Sequence, residues 1–157
     1  MSKEGLPFDT VLKEAQELGY AERNPEADVE GYDACRKIAI LSSLACGHQV
    51  DFEDIYTEGI TKITDVDFKY ASKLDVSIKL IGSSRKVGNG FAAMVAPKMI
   101  SNDHPLAGVN GVMNAIFVKG NVLGDVMFYG AGAGKLPTAS AVVSDVVDAV
   151  KHMGTNI

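Results

Sequence analysis

The sequence predicts an α+β fold: a predominantly antiparallel β-sheet with helices packed on one face. Two observations lead there. Apolar residues recur at helical spacing through the first half of the chain, and from Val76 onward the pattern changes to β-rich runs broken by glycine turns. One more helical stretch closes the chain, and helices, then hairpins, then a helix is the order of segregated rather than alternating elements. With 157 residues, 46% of them hydrophobic, a single domain with one core is expected over residues 1–157.

From Pro7 to Leu18, Phe8, Val11, Leu12, Ala15 and Leu18 recur at three- and four-residue steps, with Asp9 as the expected N-cap and Gly19 as the stop. A turn-rich loop, "ERNPEAD", leads to a second helix over Tyr32–Cys46, which Gly47 ends. Its stripe of Ala34, Ile38, Leu41 and Ala45 is expected to face the core. Asp33, Lys37, Ile40 and Leu44 form the adjacent stripe, which puts the two charged residues at the rim of that core. After the irregular "TEGITKI", Thr64 reads as the cap of a third helix, Asp65 to Leu74. "VSIKLIGSSRKV" and "FAAMVAPKMI" pair around Gly88-Asn89-Gly90, and "VMNAIFVKG" and "VLGDVMFYG" pair around Gly120-Asn121. A glycine-rich loop, "GAGAGKLP", precedes the last helix, from Pro137 or Thr138 to about Lys151.

Charge and composition exclude several functions. Net charge is -5 and the basic residues are scattered, so neither nucleic acid nor an anionic membrane is an expected partner. The apolar runs fall short of the roughly 20 residues that span a bilayer, and "MSKEGLPFDT" has no apolar signal core. Cys35 and Cys46 lie three helical turns apart, roughly 16 Å, beyond disulfide reach, so reduced thiols in a cytoplasmic setting are expected. His48, His104 and His152 are widely spaced and no metal site is expected.

Two stretches could carry chemistry. In "YGAGAGKLP", Tyr129 stands where a Walker loop needs glycine and Leu136 where it needs Ser or Thr. The glycines also lack the G-x-G-x-x-G spacing of a dinucleotide fingerprint. What remains is a loop that lets backbone approach a ligand closely, or a tight turn into a helix; both readings stand on these residues alone. The second stretch is "LGYAERNPEADVEGYDACRK", where Glu22, Asp28, Glu30 and Asp33 precede or enter a helix and Lys37 follows Asp33 by one turn. Acids at a helix start favour its positive end, and Asp33/Lys37 alone is an ordinary i,i+4 ion pair worth roughly 0.3–0.5 kcal/mol. His104, in "NDHPLAG", reads as a turn residue before Pro105, and Asn89-Gly90 and Asn110-Gly111 as turns.

Taken whole, "LKEAQELGYAERNPEADVEGYDACRKIAILSSLACG" resembles the substrate-binding segment of homoserine dehydrogenases, with A-Q-x-L-G-Y-A-E, D-V-x-G-x-D and R-K-x-x-I-L in order. "TEGI", "IKLIG", "HPLAGVNGVMNAIFVKG" and "GAGAGKLPTASAVVSD" follow in the order of the same family. The resemblance implies NAD(P)-dependent interconversion of L-homoserine and L-aspartate 4-semialdehyde, in the biosynthesis of threonine, methionine and isoleucine. It implies Lys37 as proton donor and acceptor, Asp33 as the residue that orients it, and Glu22 and Asp28, with Tyr20 beside them, as the binding site for the substrate. Gly132, Gly134 and Thr138 are implied at the nicotinamide end of the cofactor. The family's dinucleotide-binding domain has no counterpart in these residues, so the chain is expected to be the catalytic and dimerisation domain cut from a longer enzyme, inactive alone and homodimeric through its sheet. Two alternatives of other classes are a non-catalytic amino-acid-binding module and a pure oligomerisation module.

Overall fold

The computed structural model describes residues 6–18, 21, 23–88, 90–132 and 134–154. They divide into two compact units, residues 1–107 and 108–157. The class is the expected α+β, and both long strand pairings are antiparallel.

The first unit begins with α1 (Phe8–Glu17). Pro7, not Asp9, occupies the N-cap, because proline's fixed φ suits a helix entry; Asp9 sits in the first turn, where its charge favours the dipole. Gly19, the expected stop, lies outside the described residues. The loop expected after it holds a single helical turn, α2 (Glu26–Val29), entered at Pro25. Helix α3 (Tyr32–Cys46) runs between Gly31 and Gly47, both left-handed, at φ +80° and +73°. Its buried line is Cys35, Ala39 and Ser42, one residue round from the expected stripe. Ala34, Ile38 and Leu41 are half-buried and Ala45 is exposed.

Below α3 lies a small sheet in the order β1-β3-β2. The two-residue strand β1 (Tyr56–Thr57) runs parallel to β3 (Gly90–Ser101) at Met94 and Val95. β2 (Val76–Val87) pairs antiparallel with β3 along its whole length, from Val76 opposite Ser101 to Val87 opposite Gly90. Asn89 of that hairpin's turn lies outside the described residues. The core is Cys35, Ala39, Ile55 and Val95, with Ala34, Ile38, Val50, Leu80 and Ala93 packed against it. Helix α4 (Asp65–Lys73) packs beside β2 and begins at the expected Thr64, whose backbone N–H and hydroxyl both donate to Asp67 Oδ2, at 2.8 and 2.7 Å. His104 makes the expected turn: its ring Nδ1 accepts from the Leu106 N–H at 3.1 Å.

The second unit holds the hairpin of β4 (Met113–Gly120) and β5 (Gly124–Ala131), then α5 (Lys135–His152). α5 starts two residues before the expected Pro137. Proline is accepted in a first turn because its missing N–H has no intrahelical acceptor there.

Candidate active site

The candidate residues fall in two sets, one in each unit. In the first, Lys37 and Asp33 project from the same side of α3, and Nζ lies 2.6 Å from Asp33 Oδ2. The side chains are 62% and 47% exposed, and Ile40 and Leu44 further along the stripe are exposed as well. Lys37 therefore stands on an open helix face rather than at the core rim, while Asp33 is half-buried beside it, because α3 turns its smaller residues, Cys35, Ala39 and Ser42, toward the sheet. Among the described residues Asp33 is the only anion paired with Nζ, which leaves ammonium protons of Lys37 for a ligand oxygen. In water such a pair contributes roughly 0.3–0.5 kcal/mol to stability, so its geometry matters more for chemistry than for folding.

Asp28 lies in α2 with its side chain exposed. Its backbone closes the turn before α3: the Asp28 N–H donates to Pro25 O at 3.0 Å and the Gly31 N–H to Asp28 O at 3.2 Å. Gly31 then takes φ +80°, a conformation that favours glycine, and delivers the chain into α3 two residues before Asp33. No hydrogen bond or ion pair among the described residues joins the Asp28 carboxylate to Lys37. Glu22 and Tyr20 lie outside the described residues.

In the second unit, Gly132, Gly134 and Thr138 flank the start of α5. The Gly132 N–H donates to Val112 O at 3.4 Å, and a Cβ at Gly132 would collide with the side-chain amide of Asn114. Gly134 is the N-cap at φ +121°, and its carbonyl accepts from the Thr138 N–H at 3.1 Å. No side chain caps the helix, so the N–H groups of Lys135 and Leu136 have no intrahelical acceptor and lie at the positive end of its dipole. Such a cradle suits the polar edge of a planar ligand approached by backbone. Among the described residues no group of three or more His, Cys, Asp and Glu side chains could hold a metal ion, and no helix is long and apolar enough to cross a membrane.

The family model for homoserine dehydrogenase matches residues 1–147. The chain belongs to the homoserine dehydrogenase family. It is 50% identical over 153 residues to the homoserine dehydrogenase of Pseudomonas aeruginosa, across 98% of this chain and 35% of that protein. A crystal structure of a homoserine dehydrogenase from Thiobacillus denitrificans matches its fold with a TM-score of 0.91 at 49% identity, over 97% of this chain and 35% of that one. A hyperthermophilic archaeal homoserine dehydrogenase mutant in complex with NADPH matches at a TM-score of 0.74 and 31% identity, over 96% of this chain and 42% of that one. The chain thus spans about a third of the length of the relatives it matches first.

One polar group of the chain goes beyond what the motifs of the sequence disclose. In "YTEGITK", the Tyr56 hydroxyl donates to Glu58 Oε2 at 3.0 Å and Lys62 Nζ to Glu58 Oε1 at 3.3 Å. The Y-x-E-x-x-x-K spacing was the available signal, but the bend at Ile60 and the turn at Thr61 and Lys62 are what bring Lys62 back to Glu58. The Tyr56 hydrogen bond, then Lys62, holds the Glu58 carboxyl below the usual glutamate range, and the same bond raises the Tyr56 hydroxyl. A carboxyl so lowered adds stability that is present above the ordinary glutamate range and is lost as pH falls through the lowered value. Tyr56→Phe is therefore expected to move the Glu58 titration upward, read by carbon NMR of its carboxyl. An unmoved Glu58 would show that Lys62 alone sets it.

Proposed function

We propose that this chain supplies the substrate pocket and the proton-transfer group of an NAD(P)-dependent homoserine dehydrogenase acting on L-homoserine and L-aspartate 4-semialdehyde. The supporting observation is the Lys37–Asp33 pair, 2.6 Å apart on an open helix face just after the acidic segment. The nicotinamide cofactor, when bound, supplies or accepts the hydride. In the reducing direction negative charge grows on the former aldehyde oxygen; Lys37 Nζ stabilises that charge and donates a proton, and in the oxidising direction it takes the hydroxyl proton back. Asp33 fixes Nζ from one side, so the remaining N–H groups aim at the substrate. Glu22 and Asp28 receive the substrate's α-ammonium group and Tyr20 lines the same wall. Gly132, Gly134 and Thr138 take the nicotinamide end, with most other cofactor contacts made by a nucleotide-binding domain of the longer enzyme. Residues 1–157 act in this reading as one catalytic domain, in the cytoplasm, where the free thiols Cys35 and Cys46 stay reduced.

Calorimetric titration of L-homoserine into the chain tests the pocket. Saturable binding that Glu22→Gln weakens by about tenfold or more is expected, since an ammonium ion loses a charged partner. No binding at millimolar homoserine would overturn the pocket.

A homodimer through the sheet belongs to the same proposal, and a pure assembly role is the second reading. Both rest on apolar surface. β4 and β5 expose Ile116, Val118 and Phe128 on one face and Met127 and Tyr129 on the other, more than a two-stranded hairpin can cover by itself. In the first unit, β2 is a twelve-residue edge strand. Light scattering at micromolar concentration is expected to give a dimer mass. A monomer there would remove the assembly reading.

A further inference from the structure

We infer that Gly59 is a positioning residue for Asp28, acting through a loop that ties the substrate segment to the sheet. The inference rests on the proposed role of Asp28 in binding substrate. The loop Glu58-Gly59-Ile60 is anchored at both ends by backbone hydrogen bonds. On one side the Glu58 N–H donates to Val95 O of β3 at 2.8 Å; on the other the Ile60 N–H donates to Val29 O, the residue after Asp28, at 2.7 Å. Gly59 is buried between them and has no room for a side chain. A Cβ built on it would fall inside the van der Waals envelopes of Val29 O and Glu30 Cα, and 2.8 Å from Glu30 Oε2. The first two are backbone atoms and cannot swing aside. The requirement at Gly59 is space, not conformation.

The same short segment is held at its other end. Gly31 is buried, and a Cβ there would stand 3.2 Å from Val95 Cγ1 and 3.4 Å from Thr57 Cγ2. Val95 is fully buried and belongs to the core. Asp28, Val29, Glu30 and Gly31 are thus fitted against the 57–60 loop and β3 by two close approaches, one at Gly59 that leaves no space for a side chain and a tighter-than-usual one at Gly31, whose φ of +80° favours glycine. The first residue of this segment is the proposed ammonium ligand, and its last is the N-cap of the helix that carries Asp33 and Lys37. A methyl group at Gly59 must push Val29 and Glu30 away from the loop. Asp28 moves with them relative to Lys37.

The test is steady-state kinetics of an intact homoserine dehydrogenase carrying this chain, with Gly59→Ala, Asp28→Asn and the double variant. Gly59→Ala is expected to raise the KM for homoserine by roughly 10–100-fold, the scale of a misplaced binding group, with the KM for NAD(P) and kcat held within about threefold. In the Asp28→Asn background the same change should add little, because the group it displaces no longer binds. If Gly59→Ala does not fold, Gly31→Ala takes its place; it strains a residue at φ +80° and crowds the buried Val95 Cγ1, and a rise in the same constant is expected. A strong Asp28→Asn effect with silent glycine variants, or with fully additive ones, overturns the positioning role alone. A silent Asp28→Asn overturns the substrate-site reading and this inference with it.

Discussion

Replacing Lys37 with alanine in an intact enzyme carrying this chain is expected to lower kcat by roughly 10²–10⁴-fold, the usual worth of a positioned proton donor. Thermal stability should hardly change, because the side chain is 62% exposed and its ion pair with Asp33 contributes only a few tenths of a kcal/mol, about 0.3–0.5. The bland reading of the same pair predicts the opposite pattern, a small loss of stability with turnover intact. Lys37→Arg separates charge from proton transfer. Arginine keeps the cation and can reach Asp33, but it does not give up a proton near neutral pH. Turnover close to that of the unmodified enzyme with arginine in place would sink the proton-transfer role and leave Lys37 as electrostatic support.

How far the sequence discloses this architecture depends on the range of the forces that set each element. Helix α3 is legible to the residue at both ends, because Gly47 stops it locally and the helical run starts at Tyr32. The two hairpins are legible for the same reason, as their turns are marked by glycines and an asparagine. The Asp33–Lys37 contact follows from i,i+4 spacing alone. The face that α3 buries is legible in part: Ala34 and Ile38 of the expected stripe pack against the core, but the most buried line lies one residue round. The helix is apolar on several sides, and the choice falls to close packing on the sheet, where Gly82 lets Ala34 and Ile38 approach and brings Cys35, Ala39 and Ser42 inward. β1 is invisible from sequence, since two residues paired in parallel with a strand some forty positions away leave no local pattern. The role of Gly59 is hidden likewise, because the backbone it touches is about thirty positions upstream. What a single sequence shows of the candidate site is its titratable groups; what it conceals is the scaffold that holds them.

The 157-residue chain alone is expected to show no NAD(P)-linked oxidation of homoserine, even if it binds the amino acid. The recurrent dinucleotide-binding unit is a parallel βαβ element with a glycine-rich turn that lays the pyrophosphate across a helix start. The described strands offer two antiparallel pairings and one two-residue parallel contact, and no helix joins parallel strands. Among the described residues, the start of α5 offers the N–H groups of Lys135 and Leu136, enough for one polar edge of a ligand and far short of a whole dinucleotide. Without tight cofactor binding, the hydride donor and the substrate meet only by chance, and the rate advantage of fixed geometry, worth about 7–11 kcal/mol of barrier, is lost. The check is a sensitive fluorescence assay for NAD(P)H with millimolar homoserine and cofactor, run beside an intact homoserine dehydrogenase of the same family. Measurable turnover by the purified chain, abolished by Lys37→Ala, would show that these residues hold the cofactor unaided and would overturn the division of labour proposed for this site.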